Sequence, residues 1–373
     1  MSESNIVATI DYGQIAANAR SIIRFTKTPL MAVVKSDAYG HGIVPSAHAA
    51  ISGGAAWLGT AFLDEAVKLR EGGITVPILA WLSPPNEDFR RAFQLGIDLS
   101  VSSLEQLKAI VSQAEILGCK PRIHLEVDTG MTRGGALEEF PALVSAIGKL
   151  IGEERMELVG TWSHLACSDE PEHPLNQKQS ERFQTALEYL KAKGISPGIR
   201  HIANSGAVIH FPHLYYDMVR SGILIYGYAP MEGFKGCPNV LPVMKLSADV
   251  ILVKRVPART YIGYGASVQL SEDRFIGLIA LGYADGIPRR LDGPTPIWCT
   301  INGKKAPLIG RVSMDQITVD LGAETTVQAG DRAILFGDDK SATVDDWAKA
   351  AGTISYEILS KIGARARRVP KEI

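Results

Sequence analysis

Ala32-Val33-Val34-Lys35-Ser36-Asp37-Ala38-Tyr39-Gly40-His41-Gly42 decides how this chain is read. The apolar run from Leu30 to Val34 follows Pro29 and is too short for a helix, so it predicts a buried strand. Lys35 stands at the end of that strand. Gly40 and Gly42 then turn the chain into a helix-like segment. In parallel barrels the catalytic groups gather at the C-terminal ends of the strands. Burial there lowers an amine pKa and makes the amine a nucleophile for an imine. Alone, such a lysine reads first as an ion-pair partner. The rest of the chain reverses that order.

Outward from this strand the sequence repeats one rhythm of short apolar strand, turn and helical stretch. The further strands are Trp57–Thr60, Pro77–Trp81, Asp98–Val101, Arg122–Asp128, Leu158–His164, Arg200–Asn204 and Met218–Arg220. Helical segments separate most of them: Leu63–Arg70, Leu104–Ala114 after Ser102 and Ser103 as caps, and Asn176–Ala192. Before them, Asp11 caps a segment with Ile15, Ala19, Ile22 and Ile23 on one face. Eight alternating units imply a parallel sheet. Their span of about 230 residues suits a closed (β/α)8 barrel of TIM type. An open doubly wound sheet is the alternative, and no GxGxxG follows the first strand to favour it.

From about Val240 the pattern changes to closely spaced strands. These are Leu246–Val256, Phe275–Leu281, Pro296–Ile301, Lys305–Ile309, Gln316–Asp320 and Arg332–Phe336, separated by glycine turns. A helix Val344–Ala350 after Thr343 and a strand-like tail complete a mainly β C-terminal domain. The expected boundary is Gly233-Phe234-Lys235-Gly236-Cys237-Pro238, giving a barrel over 1–236 and a β domain over 237–373. Ile6–Asp11 alternates weakly and reads as a strand that could join the second domain.

The 373 residues are 46% hydrophobic and 21% charged, enough to fill a sizeable core. A net charge of −1 supplies no global attraction to nucleic acid. Arg365, Arg367, Arg368 and Lys371 form a local basic cluster, read as a solvated terminal element. Cys119, Cys167, Cys237 and Cys299 are widely spaced, which suggests neither a zinc site nor a disulfide framework and suits a reducing cytosol. Asp169, Glu170, Glu172 and His173 read as a solvated loop rather than a metal site, so no metal is expected. No signal peptide or membrane-spanning run is visible.

The unusual residues fall at strand ends. Lys35 and Tyr39 follow the first barrel strand, and Arg133 follows Asp128-Thr129-Gly130-Met131. His164 ends a strand, Asn204-Ser205-Gly206 ends another, and Arg220-Ser221-Gly222-Ile223 the last. The barrel rule brings them to one face. An amine, cations, hydroxyl and amide donors, and a phosphate cradle near Ser205, Gly222 and Ile223 suggest pyridoxal phosphate (PLP).

With these motifs the chain closely resembles the alanine racemases, PLP enzymes of the bacterial cytoplasm. Ala32–Gly42 is similar to the family's PLP-lysine motif. Asp128–Arg133, His201–Ser205, Tyr264-Gly265-Ala266, Gly282–Gly286 and Gly310–Gln316 match further family motifs in order. The resemblance covers essentially the whole chain. It implies that Lys35 holds PLP through an imine and serves as one base. Tyr264, from a second subunit of a head-to-tail homodimer, is then the opposite base. Tyr39, Ser205, Gly222, Ile223 and Tyr356 are implied around the cofactor phosphate. Arg220 is implied at the pyridine nitrogen, with His164 behind it and Asn204 among the cofactor contacts. Arg133 and the Met314 N–H are implied at the substrate carboxylate, Tyr283 at a narrow entrance, and Asp315 in support. The implied activity is interconversion of L- and D-alanine, supplying D-alanine for peptidoglycan.

The sequence departs from the family's pattern in places. Glu126 stands where many members carry a lysine that becomes carbamylated, and Glu126 is expected to replace it in holding Arg133. Thr132 and Gly134 flank Arg133 where glycine and an aliphatic residue are commoner. Gly263 replaces a serine and Ile287 an aromatic residue. The competing readings are a serine or broad-specificity racemase, a PLP decarboxylase and a non-catalytic PLP-binding protein. The Tyr264 motif counts against the last two.

Overall fold

The structure is a computed structural model that describes residues 5–231, 236, 238–293 and 296–372. Of the expected boundary stretch, Gly233, Phe234, Lys235 and Cys237 lie outside the described residues. After an N-terminal strand β1 (Ile6–Ile10) come β2 (Leu30–Val33), β3 (Trp57–Thr60), β4 (Ile78–Ala80), β5 (Asp98–Val101), β6 (Arg122–Glu126), β7 (Glu157–Trp162), β8 (Ile199–His201) and β9 (Val219–Ser221). Strands β2 to β9 form one parallel eight-stranded sheet in the order β8-β7-β6-β5-β4-β3-β2-β9. Two backbone hydrogen bonds stitch the remaining seam between the ends of the order. Asp217 N–H donates to Arg200 O (3.1 Å) and Arg220 N–H to Ala203 O (2.9 Å). The result is a (β/α)8-type barrel with helices between the strands, including Leu63–Glu71, Leu104–Ile116, Phe140–Gly152 and Leu175–Ala192.

Strands such as β2 and β5 are buried along their whole length, as expected where helices cover one face and the barrel interior the other. Met31, Leu79 and Met218 form an apolar cluster with Trp57, Trp81 and Ile199 packed against it. Of the two expected caps, Ser103 is the one used: its Oγ accepts from Gln106 N–H at 3.2 Å. Ser102 instead donates to Glu126 (2.7 Å).

A second compact unit comprises the described residues of 1–12, 39–42 and 242–373. Its strands are β10 (Met244–Val256), β11 (Tyr261–Ile262), β12 (Val268–Gln269), β13 (Arg274–Ile279), β14 (Trp298–Ile301), β15 (Lys304–Pro307), β16 (Ile317–Gly322), β17 (Arg332–Phe336) and β18 (Arg367–Pro370). The sheet runs β15-β14-β17-β10-β1-β18, with β13 on β10 and β16 on β13. The long strand β10 serves several neighbours because its register shifts between Val250 and Leu252, where it passes to β13. Strand β1 lies in this sheet, antiparallel to β10 and parallel to β18. Thr343 caps the helix Val344–Ala351 in a reciprocal pair with Asp346. Among the described residues no helix is long and apolar enough to cross a membrane.

The C-terminal basic cluster differs from its expected role as a solvated element. Arg365 reaches Asp285 (2.7 Å) and Asp315 (2.8 Å), and Lys371 pairs with Asp11 (2.9 Å). Arg368 donates to the carbonyls of Gly40, Ile362, Gly363 and Ala366. A planar fork of donors serves several backbone carbonyls at once. Charge composition cannot distinguish such a staple from a solvated side chain. Arg368→Met should therefore cost about 2 kcal/mol in urea denaturation, because several carbonyls lose a charged donor. Arg367→Ala, at an exposed position, should stay within about 0.5 kcal/mol of the parent. Equal effects would return Arg368 to the solvated class.

Candidate active site

Lys35 opens the short turn Lys35–Gly40 directly after β2. The expected helix-like segment is left-handed. Ser36, Asp37, Ala38 and Tyr39 all have φ between 52 and 56°. This conformation costs an L-residue roughly 1–2 kcal/mol, so surrounding contacts must hold it. Glu65 Oε1 accepts from Ser36 N–H (2.6 Å), Asp37 Oδ1 accepts from Ile43 N–H (2.9 Å), and Ala38 N–H donates to Val34 O (2.9 Å). At the far end, a Cβ on Gly40 would lie 2.4 Å from the Leu359 carbonyl oxygen. Only glycine fits there.

Burial pushes the Lys35 amine below its ordinary pKa, Arg133 adds to the shift, and Glu65 opposes it. Its Nζ lies 5.8 Å from the centre of a Trp81 ring. Arg220 is buried, and its terminal nitrogens donate to Ser163 O and His201 O, both at 2.8 Å, and to His164 Nδ1 and His201 Nδ1, both at 3.2 Å. Its Nε donates to none of the described residues. The guanidinium lies over Trp162 at 4.9 Å. Burial lowers its pKa to about 9, with Glu126 opposing and Arg133 reinforcing, so it remains a cation at neutral pH. Burial, then the charges of Arg220, Arg133 and Lys35, holds His164 well below its ordinary value.

Ser205 Oγ lies 3.2 Å from Ser221 Oγ and accepts from Gly222 N–H at 3.2 Å. Gly222 leads into the 3-10 turn Ile223–Tyr226, whose first N–H groups have no partner within the turn. Asn204 caps the helix Ser205–His210. Its Oδ1 accepts from Ala207 N–H and Ser168 Oγ, and its Nδ2 donates to Leu165 O.

Glu126 differs from its expected placement. Its carboxylate accepts from Ser102 Oγ, while Arg133 is exposed and forms no ion pair with it among the described residues. Burial raises the Glu126 pKa; the Ser102 hydrogen bond and the charges of Arg220 and Arg133 oppose that shift. The 3.1 Å between Glu126 Oε1 and an ideal Cβ on Gly134 explains two departures together. A larger residue at 134 would crowd the carboxylate. Thr132 is left-handed (φ 58°), its N–H held by Asp128 Oδ1 at 3.1 Å. Glu126, Asp128, Met131, Arg133, Gly134, Ser163 and His164 line a small cavity.

In the second unit Tyr264 is 69% exposed. It begins the turn Tyr264–Ala266 between β11 and β12, a short hairpin that alternation alone did not reveal. Gly263 and Gly265 both have positive φ there, and a Cβ on Gly265 would strike Arg311. Tyr283 and Met314 are exposed and adjacent through the backbone. Tyr283 N–H donates to Ser313 O, and Ala284 N–H to Met314 O, both at 3.0 Å. Arg365 ties Asp315 to Asp285 below this turn. Tyr39 and Tyr356 rings lie 6.0 Å apart.

Sequence reasoning missed three buried polar groups, Asp98, His124 and His201, linked in series to Arg220. The available signal was the period-two spacing of His124 and Glu126 on one strand face. It also missed Gln179, a fully buried helical residue that holds His164 O, Thr129 and the Ala166 N–H.

Fold and site together define a (β/α)8-type barrel with a part-buried lysine amine at a strand end, joined in one chain to a mainly β unit with an exposed tyrosine. The alanine racemase N-terminal domain family matches residues 10–230, and the alanine racemase C-terminal domain family matches residues 243–370. An alanine racemase of Thermobifida fusca is 42% identical over 366 residues, spanning 97% of each chain. One of Salinispora tropica is 41% identical, covering 97% of this chain and 96% of that one. The crystal structure of the alanine racemase from Streptomyces lavendulae, a D-cycloserine producer, superposes with a TM-score of 0.94 at 40% identity. It covers 100% of this chain and 98% of its own. The chain belongs to the alanine racemase family and is an isomerase.

A buried amine of lowered pKa destabilises the fold while it is charged. That penalty is complete below the lowered pKa and absent above the ordinary value of 10.5. Without bound ligand, Lys35→Met should therefore be more stable than the parent at pH 7. The gain should shrink as pH rises toward 10.5. Urea denaturation across that range checks the sign, and a gain that grows with pH would contradict it.

Proposed function

We propose that this chain interconverts L- and D-alanine with PLP as cofactor, using Lys35 and Tyr264 as bases on opposite faces of the substrate. It works in the cytoplasm as a homodimer and supplies D-alanine for peptidoglycan. The observation that carries the reading is the donor set at the barrel's strand ends. The Lys35 amine, held below its ordinary pKa, suits an aldehyde. The hydroxyls of Ser205 and Ser221 beside the Gly222–Ile223 backbone suit a phosphate. Arg220 Nε, a donor on a buried side chain with no partner among the described residues, suits an accepting ring nitrogen. The residues therefore fit PLP.

When bound, PLP delocalises the electron pair left at the substrate Cα as its proton departs. The chain's own groups do the rest. Lys35 Nζ takes the Cα proton of D-alanine, and the phenolic oxygen of Tyr264 of the partner subunit takes that of L-alanine. In each direction the other base, which starts protonated, donates its own proton to Cα on the opposite face. The exposure of Tyr264 within its own unit supports its use by a partner subunit. Arg133 and the Met314 N–H bind the substrate carboxylate, and Tyr283 narrows the entrance. Tyr39 and Tyr356 flank the phosphate. Asn204 shapes the Ser205 turn, neutral His164 backs Arg220, and Glu126 and Asp315 support the arginine and methionine loops. An arginine yields its proton reluctantly, so Arg220 leaves the ring nitrogen unprotonated and limits side reactions.

Incubation with L-alanine and PLP, followed by chiral chromatography, should yield D-alanine and little product from L-serine or L-lysine. Tyr264→Phe should lower turnover about 100-fold or more while PLP absorbance persists. Retained turnover would remove the second base. Arg220→Glu should raise the ratio of transamination to racemisation; an unchanged ratio would remove the argument about the ring nitrogen.

A further inference from the structure

Asp98, His124 and His201 are buried inside the barrel, and the proton transfers proposed above use none of them. They form one chain. Arg220 reaches His201 Nδ1 at 3.2 Å, His201 Nε2 lies 3.0 Å from His124 Nδ1, and His124 Nε2 lies 3.3 Å from Asp98 Oδ2. Arg122 closes the far end, donating from Nε to Asp98 Oδ1 at 2.7 Å and to Oδ2 at 3.3 Å.

Chemistry assigns every proton in this chain. A guanidinium only donates, so His201 Nδ1 accepts and its proton sits on Nε2. That N–H donates to His124 Nδ1, so the His124 proton also sits on Nε2 and faces the Asp98 carboxylate. The opposite assignment would place an N–H against Arg220 and a bare nitrogen against Asp98. Burial keeps both imidazoles below their ordinary pKa, so the carboxylate polarises them without protonating them. Packing holds the rings: Trp162 lies parallel to His201 at 5.9 Å, and Trp57 meets His124 edge-on at 5.4 Å. A Cβ on Gly160 would lie 2.6 Å from His124 Nδ1, so that strand position is kept clear for the ring.

We infer that Asp98 and His124 are positioning residues for Arg220, with Asp98 accepting at the far end of the two histidine tautomers that Arg220 requires and thereby holding the donor geometry of the guanidinium. This rests on the reading of Arg220 as the group facing the pyridine ring. In Asp98→Asn, Arg122 retains the amide oxygen and the NH2 turns toward His124. The amide N–H and the Arg220 N–H then demand opposite tautomers of the histidine pair, so one contact of the chain opens.

The test is nitrogen NMR of the full chain loaded with 15N-labelled PLP and labelled at histidine. The parent should show protonated Nε2 and bare Nδ1 at both rings. Asp98→Asn should shift the nitrogen resonances of both rings, by reversal of the tautomers or by loss of the hydrogen bond at one end, and Asp98→Glu should restore the parent pattern. Asp98→Asn should also move the pyridine nitrogen resonance, as Arg220→Lys does, and lower kcat about tenfold with little change in KM. Protonated Nδ1 at either ring in the parent overturns the inference without any variant. So do unchanged histidine nitrogen resonances in Asp98→Asn. A pyridine resonance moved by Arg220→Lys but not by Asp98→Asn overturns the positioning role and spares the cofactor reading. A resonance moved by neither overturns the reading of Arg220, and the positioning role with it.

Discussion

A guanidinium buried with no carboxylate of the described residues in contact is the constraint from which much of the barrel interior follows. Arg220 is only 4% exposed. Taking an ion out of water costs several kcal/mol even after relaxation, so its N–H groups must find acceptors. Ser163 O and His201 O supply two, and His164 and His201 supply imidazole nitrogens. Trp162 adds its ring face. The negative charges stand off. Glu126 acts through space and Asp98 through two histidines. A directly paired carboxylate would occupy the donors; this arrangement offsets part of the burial cost and leaves Nε without a partner among the described residues.

Lys35 is presented by a turn that is unfavourable in itself. Four successive left-handed residues need contacts that a surface loop lacks. Glu65 provides them at the start of the turn, using its other oxygen on the Ala61 and Phe62 N–H groups that open its own helix. Arg368 and the Leu359 carbonyl bound Gly40 at the end. Arg368 thus belongs to the structure that bounds Gly40 rather than to the solvent. Glu126 and Gly134 show the same dependence of one residue on another. The carboxylate occupies space that a larger residue at 134 would contest.

Most of the barrel was legible because its strands are short, apolar and bounded by turn residues, and all eight expected strands lie within a few residues of their observed limits. Lys35, Arg220, His164 and Ser205 were legible as features at strand ends, since parallel strands bring those ends to one face. The β11–β12 hairpin was not, because two-residue strands carry no usable alternation. Nor was the handedness after β2, where local propensity opposes the observed conformation.

The sequence by itself determined the order of strands and helices, the two architectures and the chemical inventory at the strand ends. Hydrophobic periodicity and turn chemistry are local properties, written within a few residues of where they act. Tertiary structure alone decided which polar groups meet. It made Glu126 a partner of Ser102, turned Arg365 and Arg368 into staples, and set Asp98, His124, His201 and Arg220 in series. Each of those outcomes depends on distances between residues far apart in the chain, and hydrogen bonds act only at contact.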